Sequence, residues 1–99
     1  MSQAAARIGD KDTKHDCGVP TRAEGVKKVF VNGIAWSCLG HKNTVHMINS
    51  KDPCDKPHVG VIAKGSKTVF VEGIAAGRLG DKVQKCGSVA QGSDNVFCG

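Results

Sequence analysis

The strongest constraint on how this chain can fold is that it repeats itself. VFVNGIA at residues 29–35 recurs as VFVEGIA at residues 69–75, an offset of 40, and LGHK (39–42) falls over LGDK (79–82) in the same register. His46 then falls on Cys86. RIGDKDTKH (7–15) aligns with RLGDKVQKC (78–86), which places His15 in that column too. The shared pattern is Gly, Asp or His, Lys, three variable residues, then His or Cys. A second unit interleaves with the first: GVIAKGSKTVF (60–70) over GSVAQGSDNVF (87–97), with a looser version running from Gly18 through Gly25 to Val29 and Phe30. The Val-Phe pair therefore occurs three times. Short units of this kind bury little surface alone and must pack on one another, so a pseudo-three-fold body is expected.

Local signals favour β-structure. β-branched residues alternate with small ones and are broken by Gly every few positions, and no segment holds a helical period for three turns. Asn32-Gly33 suits a type I′ turn between Val29–Val31 and Ile34 onward, and Glu72-Gly73 marks the equivalent corner. SKDPCDKP, residues 50–57, interrupts the repeat with two prolines and reads as a loop. The expectation is one all-β domain over residues 1–99, built of short hairpins, with any helix limited to a turn or two and no appended effector domain.

Such a domain has little to build a core from. In 99 residues there is no Tyr, aromatics are 4%, and Gly occurs 13 times. A chain this small and poorly cored needs a staple, either metal or disulfide. Five cysteines are an odd number, which fits metal ligation better than a fully paired disulfide framework. MSQAAARIGDKD has no basic start followed by an apolar run, and no long uncharged apolar stretch follows. The reading is a soluble protein made in a reducing cytoplasm without a signal peptide or transmembrane segment. The net charge of +5 comes from lysines spread along the chain and reads as solvated surface.

The repeated column supplies the candidate staple. His15, His46 and Cys86 carry side chains that zinc prefers, and matched positions in quasi-equivalent repeats can converge on one axis. His58, two residues ahead of the Gly that opens a second-type repeat, is the choice for the fourth ligand. Four protein ligands leave no open position, so one structural Zn2+ is expected. The competing set is Cys38, His41, His46 and Cys54, a loose zinc knuckle that would make this a small nucleic-acid-binding zinc module. That set ignores His15 and Cys86 and leaves the repeat unexplained. His41 stands in the column of Asp10 and Asp81, where a polar turn residue is expected. Cys17, Cys38, Cys54 and Cys98 occupy no repeated column and read as core or surface thiols. Neither G-x-S-x-G nor H-E-x-x-H occurs, and no enzyme is expected.

AARIGDK, GIAWSCLGHK and GIAAGRLGDK, with the VF(V)NG hairpins and GS turns between them, resemble the PAAR-repeat family over essentially the whole chain from Ala5. The departures are His41 for Asp and Trp36-Ser37-Cys38 for the small-residue element. The resemblance implies a small cone folded around one zinc near its vertex, with His15, His46, His58 and Cys86 as ligands. It also implies a structural, membrane-piercing role: the tip that caps and sharpens the trimeric β-helical spike of a contractile injection machine, in a phage tail baseplate or type VI secretion system. Such a tip would meet one spike trimer per chain, touch the target envelope transiently and hold no nucleic acid. It would be assembled in the tail or secretion apparatus and delivered outward on contraction. The apolar base is expected to draw on Val29, Val31, Ile34, Val69, Val71 and Ile74, some of which should be core because strands alternate faces.

Overall fold

Each Val-Phe pair opens a two-residue hairpin strand, and the hairpins are arranged around a ring. The computed structural model of the chain describes residues 2–13, 18–48, 56–84 and 87–99, with 46–48 and 56–57 as backbone only. Among these residues there is no helix. The strands are β1 (Gln3–Ala4), β2 (Phe30–Val31), β3 (Ile34–Ala35), β4 (His46–Ile48), β5 (Lys56–His58), β6 (Phe70–Val71), β7 (Ile74–Ala75), β8 (Lys82–Val83), β9 (Gly87–Ser88) and β10 (Phe97–Cys98). They pair antiparallel as β2–β3, β4–β5, β6–β7, β8–β9 and β1–β10. The expected loop at 50–57 is therefore corrected at its end, where Lys56 and Pro57 belong to β5; residues 50–55 lie outside the described residues.

Both expected turns form. Asn32 and Gly33 have φ of 55° and 77°, and Glu72 and Gly73 have 51° and 78°, the left-handed pair that a type I′ hairpin requires. Glu72 accepts this conformation although it lacks the local preference of Asn; its carboxylate accepts the backbone N–H of Lys28 at 2.9 Å. The third hairpin has no connecting turn. Phe97 pairs with Ala4 as Phe30 pairs with Ala35 and Phe70 with Ala75, so strands from opposite ends of the sequence supply the third copy.

Between the hairpins runs a closed ring of three extended segments, 5–7, 36–38 and 76–78. Arg7 bridges Trp36, Cys38 bridges Ala76, and Arg78 bridges Ala5, which returns the chain to its start. The same cycle appears in backbone hydrogen bonds from Ile8 to Ala35 (3.0 Å), Leu39 to Ala75 (3.0 Å) and Leu79 to Ala4 (2.7 Å). Closure removes the open sheet edges that short strands would otherwise expose. The bulky Trp36-Ser37-Cys38 element fits the cycle because its backbone does what the small copies do: Trp36 N–H donates to Val29 O as Ala76 N–H donates to Val69 O. The Trp36 indole N–H is satisfied by the Gly77 carbonyl at 2.9 Å.

The ring divides the core. On one side Ala5, Trp36, Cys38 and Ala76 pack with Val26, Val31, Val71 and Cys98; on the other Ala6 packs with Ile62, Val83 and Val89. Gly25, Gly65 and Gly92 press against the ring, where an added Cβ would lie 2.9 Å from Trp36 O, 2.8 Å from Ala76 O and 2.8 Å from Ala5 O. Only glycine lets the backbones approach this closely. The next residue in two copies is a serine whose Oγ accepts two backbone N–H groups: Ser66 from Thr68 and Val69, Ser93 from Asn95 and Val96.

Candidate functional site

Beyond the ring, each repeat sends out an arm. Ala23 N–H donates to Lys42 O, Ala63 to Lys82 O and Ala90 to Lys11 O, a second closed cycle one layer from the first. A third follows: Thr44 N–H to Thr21 O (2.7 Å), Gln84 to Val61 O (2.8 Å) and Thr13 to Ser88 O (2.8 Å). Thr13, Thr44 and Gln84 are therefore equivalent positions held at one level. Two residues farther along each chain segment stand His15, His46 and Cys86.

The predicted ligands divide as follows. His46 and His58 are brought together as directly opposed backbone partners in the β4–β5 pair. His15 and Cys86 lie outside the described residues. The N-terminal arm meets β9, where Thr13 Oγ1 accepts the N–H of Ser88 at 3.1 Å and Thr13 sits against Gly87. Among the described residues, no group of three His, Cys, Asp or Glu side chains assembles.

The arms also correct one alignment. Pro20, not Gly18, occupies the column of Gly60: its carbonyl accepts Asp12 N–H as that of Gly60 accepts Asn43 N–H. Gly18 thus stands at the position of His58, which is why His58 has no matching ligand-type residue in the first copy.

Cys38 and His41 both make contacts that serve the fold. At the turn, Asp10 accepts the N–H of Arg7 at 2.9 Å and Asp81 that of Arg78 at 2.7 Å, each also holding the arginine side chain. His41 takes the same place, its Nδ1 accepting Cys38 N–H at 2.8 Å. Burial lowers the His41 pKa, and nearby Arg22 adds to this while Glu24 opposes it. The neutral imidazole that can accept is thus the favoured form. Cys38 is fully buried, its thiol directed at Trp36 O, and desolvation pushes its pKa up to about 11. Burial raises the Cys98 pKa likewise, so both thiols are core groups. Cys17 and Cys54 lie outside the described residues. Of the alternative set Cys38, His41, His46 and Cys54, the two whose side chains are described, Cys38 and His41, are thus engaged within the fold.

The hairpin side presents the other candidate surface. Phe30, Phe70 and Phe97 are all the phenylalanines in the chain, and they are 57%, 60% and 54% exposed. They hold equivalent strand positions in the three hairpins. The expected apolar base is corrected here. Val31 and Val71 are buried in the core, Val29, Val69 and Ile74 pack partly against it, and of the six Ile34 alone is exposed. Alternation forces this exchange, because burying Val31, Val71 and Cys98 turns the preceding phenylalanines outward. The signal that could have found them was the phenylalanine common to all three Val-Phe pairs, conspicuous in a chain with one other aromatic residue.

The family described as the PAAR motif matches residues 54–99. Over these residues the chain is similar to PAAR-repeat proteins. The match covers just under half of the sequence, and the ring carries the same backbone pattern through the N-terminal copies. No curated protein matches the chain. The family is a structural one, consistent with a spike-tip role in contractile injection systems and with association with a spike protein. Among the described residues no helix is long and apolar enough to cross a membrane.

Proposed function

We propose that this chain is a PAAR-repeat protein and the piercing tip of a contractile injection machine, seated one chain per trimeric β-helical spike. The observation that carries the reading is the set of three equivalent, outward-facing phenylalanines on a ring with three-fold backbone cycles. A trimer ends in three identical strand edges and three identical apolar rims, and a single chain can answer all three only if its own contacts recur three times. Phe30, Phe70 and Phe97 would each fill one such rim, flanked by Ile34 and Ile74. The arms face the other way, toward the target envelope. Sheath contraction would then drive a narrow end into that envelope, and the protein would act mechanically rather than catalytically.

A structural zinc fits this arrangement. Three imidazoles and one thiolate are a donor set suited to Zn2+, and the reading is supported by the hydrogen bonds that hold Thr13, Thr44 and Gln84, each two residues before a candidate ligand, at equivalent positions, and by the pairing of His46 with His58. His15, His46, His58 and Cys86 would hold the ion. Once bound it would tie the three arm ends together where the core is thinnest.

Both parts are tested by co-purification with the trimeric spike from the same genome, followed by native mass measurement and elemental analysis. One chain per trimer and one zinc per chain are expected. Replacing Phe30, Phe70 and Phe97 together with Glu should abolish capture while zinc stays bound, since burying unpaired carboxylates costs several kcal/mol, roughly the free energy of a modest interface. Three chains per trimer, or capture that survives the triple substitution, would overturn the docking reading; protein without transition metal would overturn the zinc.

A further inference from the structure

One cluster of charged side chains is buried where no function described above needs it. Asp12 and Arg22 form an ion pair at 2.7 Å with both side chains fully buried. Asp12 Oδ2 also accepts Asn43 Nδ2 at 3.1 Å, Asn43 Oδ1 accepts Gly60 N–H at 2.7 Å, and Arg22 Nη1 donates to His41 O at 3.1 Å. The repeat shows what else could stand there. Asp12 and Asn43 share a column with Val83, and Arg22 shares one with Ile62 and Val89, all three buried apolar residues of the inner core. Half of this layer is thus hydrophobic, and the other half is an ion pair with an amide partner.

Stability alone does not account for the polar half. Buried ion pairs are often no better than well-packed apolar replacements, because desolvation consumes the Coulombic gain. The network's placement is more informative. Asp12 lies three residues before His15, Asn43 three before His46, and Gly60 two after His58. The hydrogen bonds Asp12–Asn43–Gly60 therefore join the three histidine-bearing segments to one another. They bypass the cysteine arm, where Val83 stands three residues before Cys86. Groups one layer behind a metal's ligands commonly fix ligand orientation, and losing them weakens metal binding by about 10–100-fold.

We propose that Asp12, Arg22 and Asn43 are positioning residues that align the three histidine arms for the metal. This rests on the zinc reading above. The layer is a bracket beneath the site: Arg22 holds Asp12, Asp12 holds Asn43, and Asn43 holds the backbone entering from His58. The cysteine arm, outside this bracket, is held by the β8–β9 pair, Lys82 with Ser88 and Val83 with Gly87.

The test uses cobalt(II) as the probe, since a thiolate and imidazoles around it give a visible spectrum. Full-length protein loaded with cobalt is mixed with excess chelator, and the loss of absorption gives the release rate. The variant is Asp12→Val with Arg22→Ile and Asn43→Val, which gives the first two copies the apolar residues their columns already hold elsewhere. It should fold, by circular dichroism, and release cobalt at least tenfold faster than the wild type; a folded variant that takes up no cobalt supports the proposal equally. Release less than tenfold faster overturns it. Should the triple variant not fold, Asn43→Val alone is read by the same threshold, because it cuts the tie to Gly60 and leaves the ion pair in place. Wild-type protein that binds no cobalt removes the zinc reading and this inference with it, an outcome distinct from equal release by both proteins.

Discussion

The two sides of the ring keep three-fold symmetry in different ways. On the hairpin side the copies agree in side chains as well as backbone: Phe30, Phe70 and Phe97 are alike in position and exposure, over buried Val31, Val71 and Cys98. On the arm side the backbone cycles are just as regular, but the side chains inside them differ, with Asp12, Arg22 and Asn43 standing against Val83, Ile62 and Val89. A surface that meets a symmetric partner must repeat its contacts, whereas a layer that surrounds a single ion with unlike ligands has no such obligation. On the proposed reading, side-chain symmetry follows the spike partner and backbone symmetry follows ring closure.

The comparison can be broken most forcefully from the arm side. Stripping the metal with a strong chelator under mild heating should lower the melting temperature by about 20 °C or more, because structural zinc can supply much of a small domain's folding free energy and each kcal/mol moves Tm by about 4–8 °C at this size. Unchanged melting of demonstrably metal-free protein would mean that the arm side holds itself together. Next in size is Gly65→Ala, which forces a methyl group to 2.8 Å from the Ala76 carbonyl. A loss of about 3 kcal/mol in denaturant unfolding is expected, as for overpacked cores. Gly92→Ala should match it, and a large disparity would show that the hairpin side is less symmetric in energy than in geometry.

Single Phe→Ala substitutions sharpen the comparison further. Each should weaken spike capture by about 2 kcal/mol, the size of an aromatic anchor, and the three should agree. One dominant phenylalanine would contradict equal engagement. The smallest expected effect concerns His41. Its pKa is depressed in the folded state, so its contribution to stability is full above the unfolded value near 6.5 and is lost as pH falls through the lower, folded value. Protonating Nδ1 removes the acceptor for Cys38 N–H, a loss of about 1 kcal/mol. His41→Asn retains an acceptor without titrating, and unfolding measured between about pH 7 and pH 5 should show a shallower fall for the variant.

How much was legible varied with the range of the interaction. The hairpins could be read because Asn32-Gly33 and Glu72-Gly73 specify their turns locally, and His41 could be read as a turn residue from the column of Asp10 and Asp81. The side of the strands that faces outward could not. Period-two alternation has two phases, and Val31 or Phe30 could have been the buried one until the ring supplied something for the valine to pack against. Asp12 and Arg22 were equally opaque, since a charged residue reads as solvated surface until a partner from elsewhere in the chain is known to meet it.

Sequence by itself determined the repeated units, their turns and the columns in which His15, His46 and Cys86 stand, because these depend on spacing and on backbone preferences within a few residues. Only the tertiary structure decided that the first and last strands close the third hairpin, that the phenylalanines face outward, and that an ion pair lies inside the arm layer. Each of these depends on contacts between residues far apart in the chain, such as Ala4 with Phe97 and Asp12 with Val89, and such contacts exist only once the ring is closed.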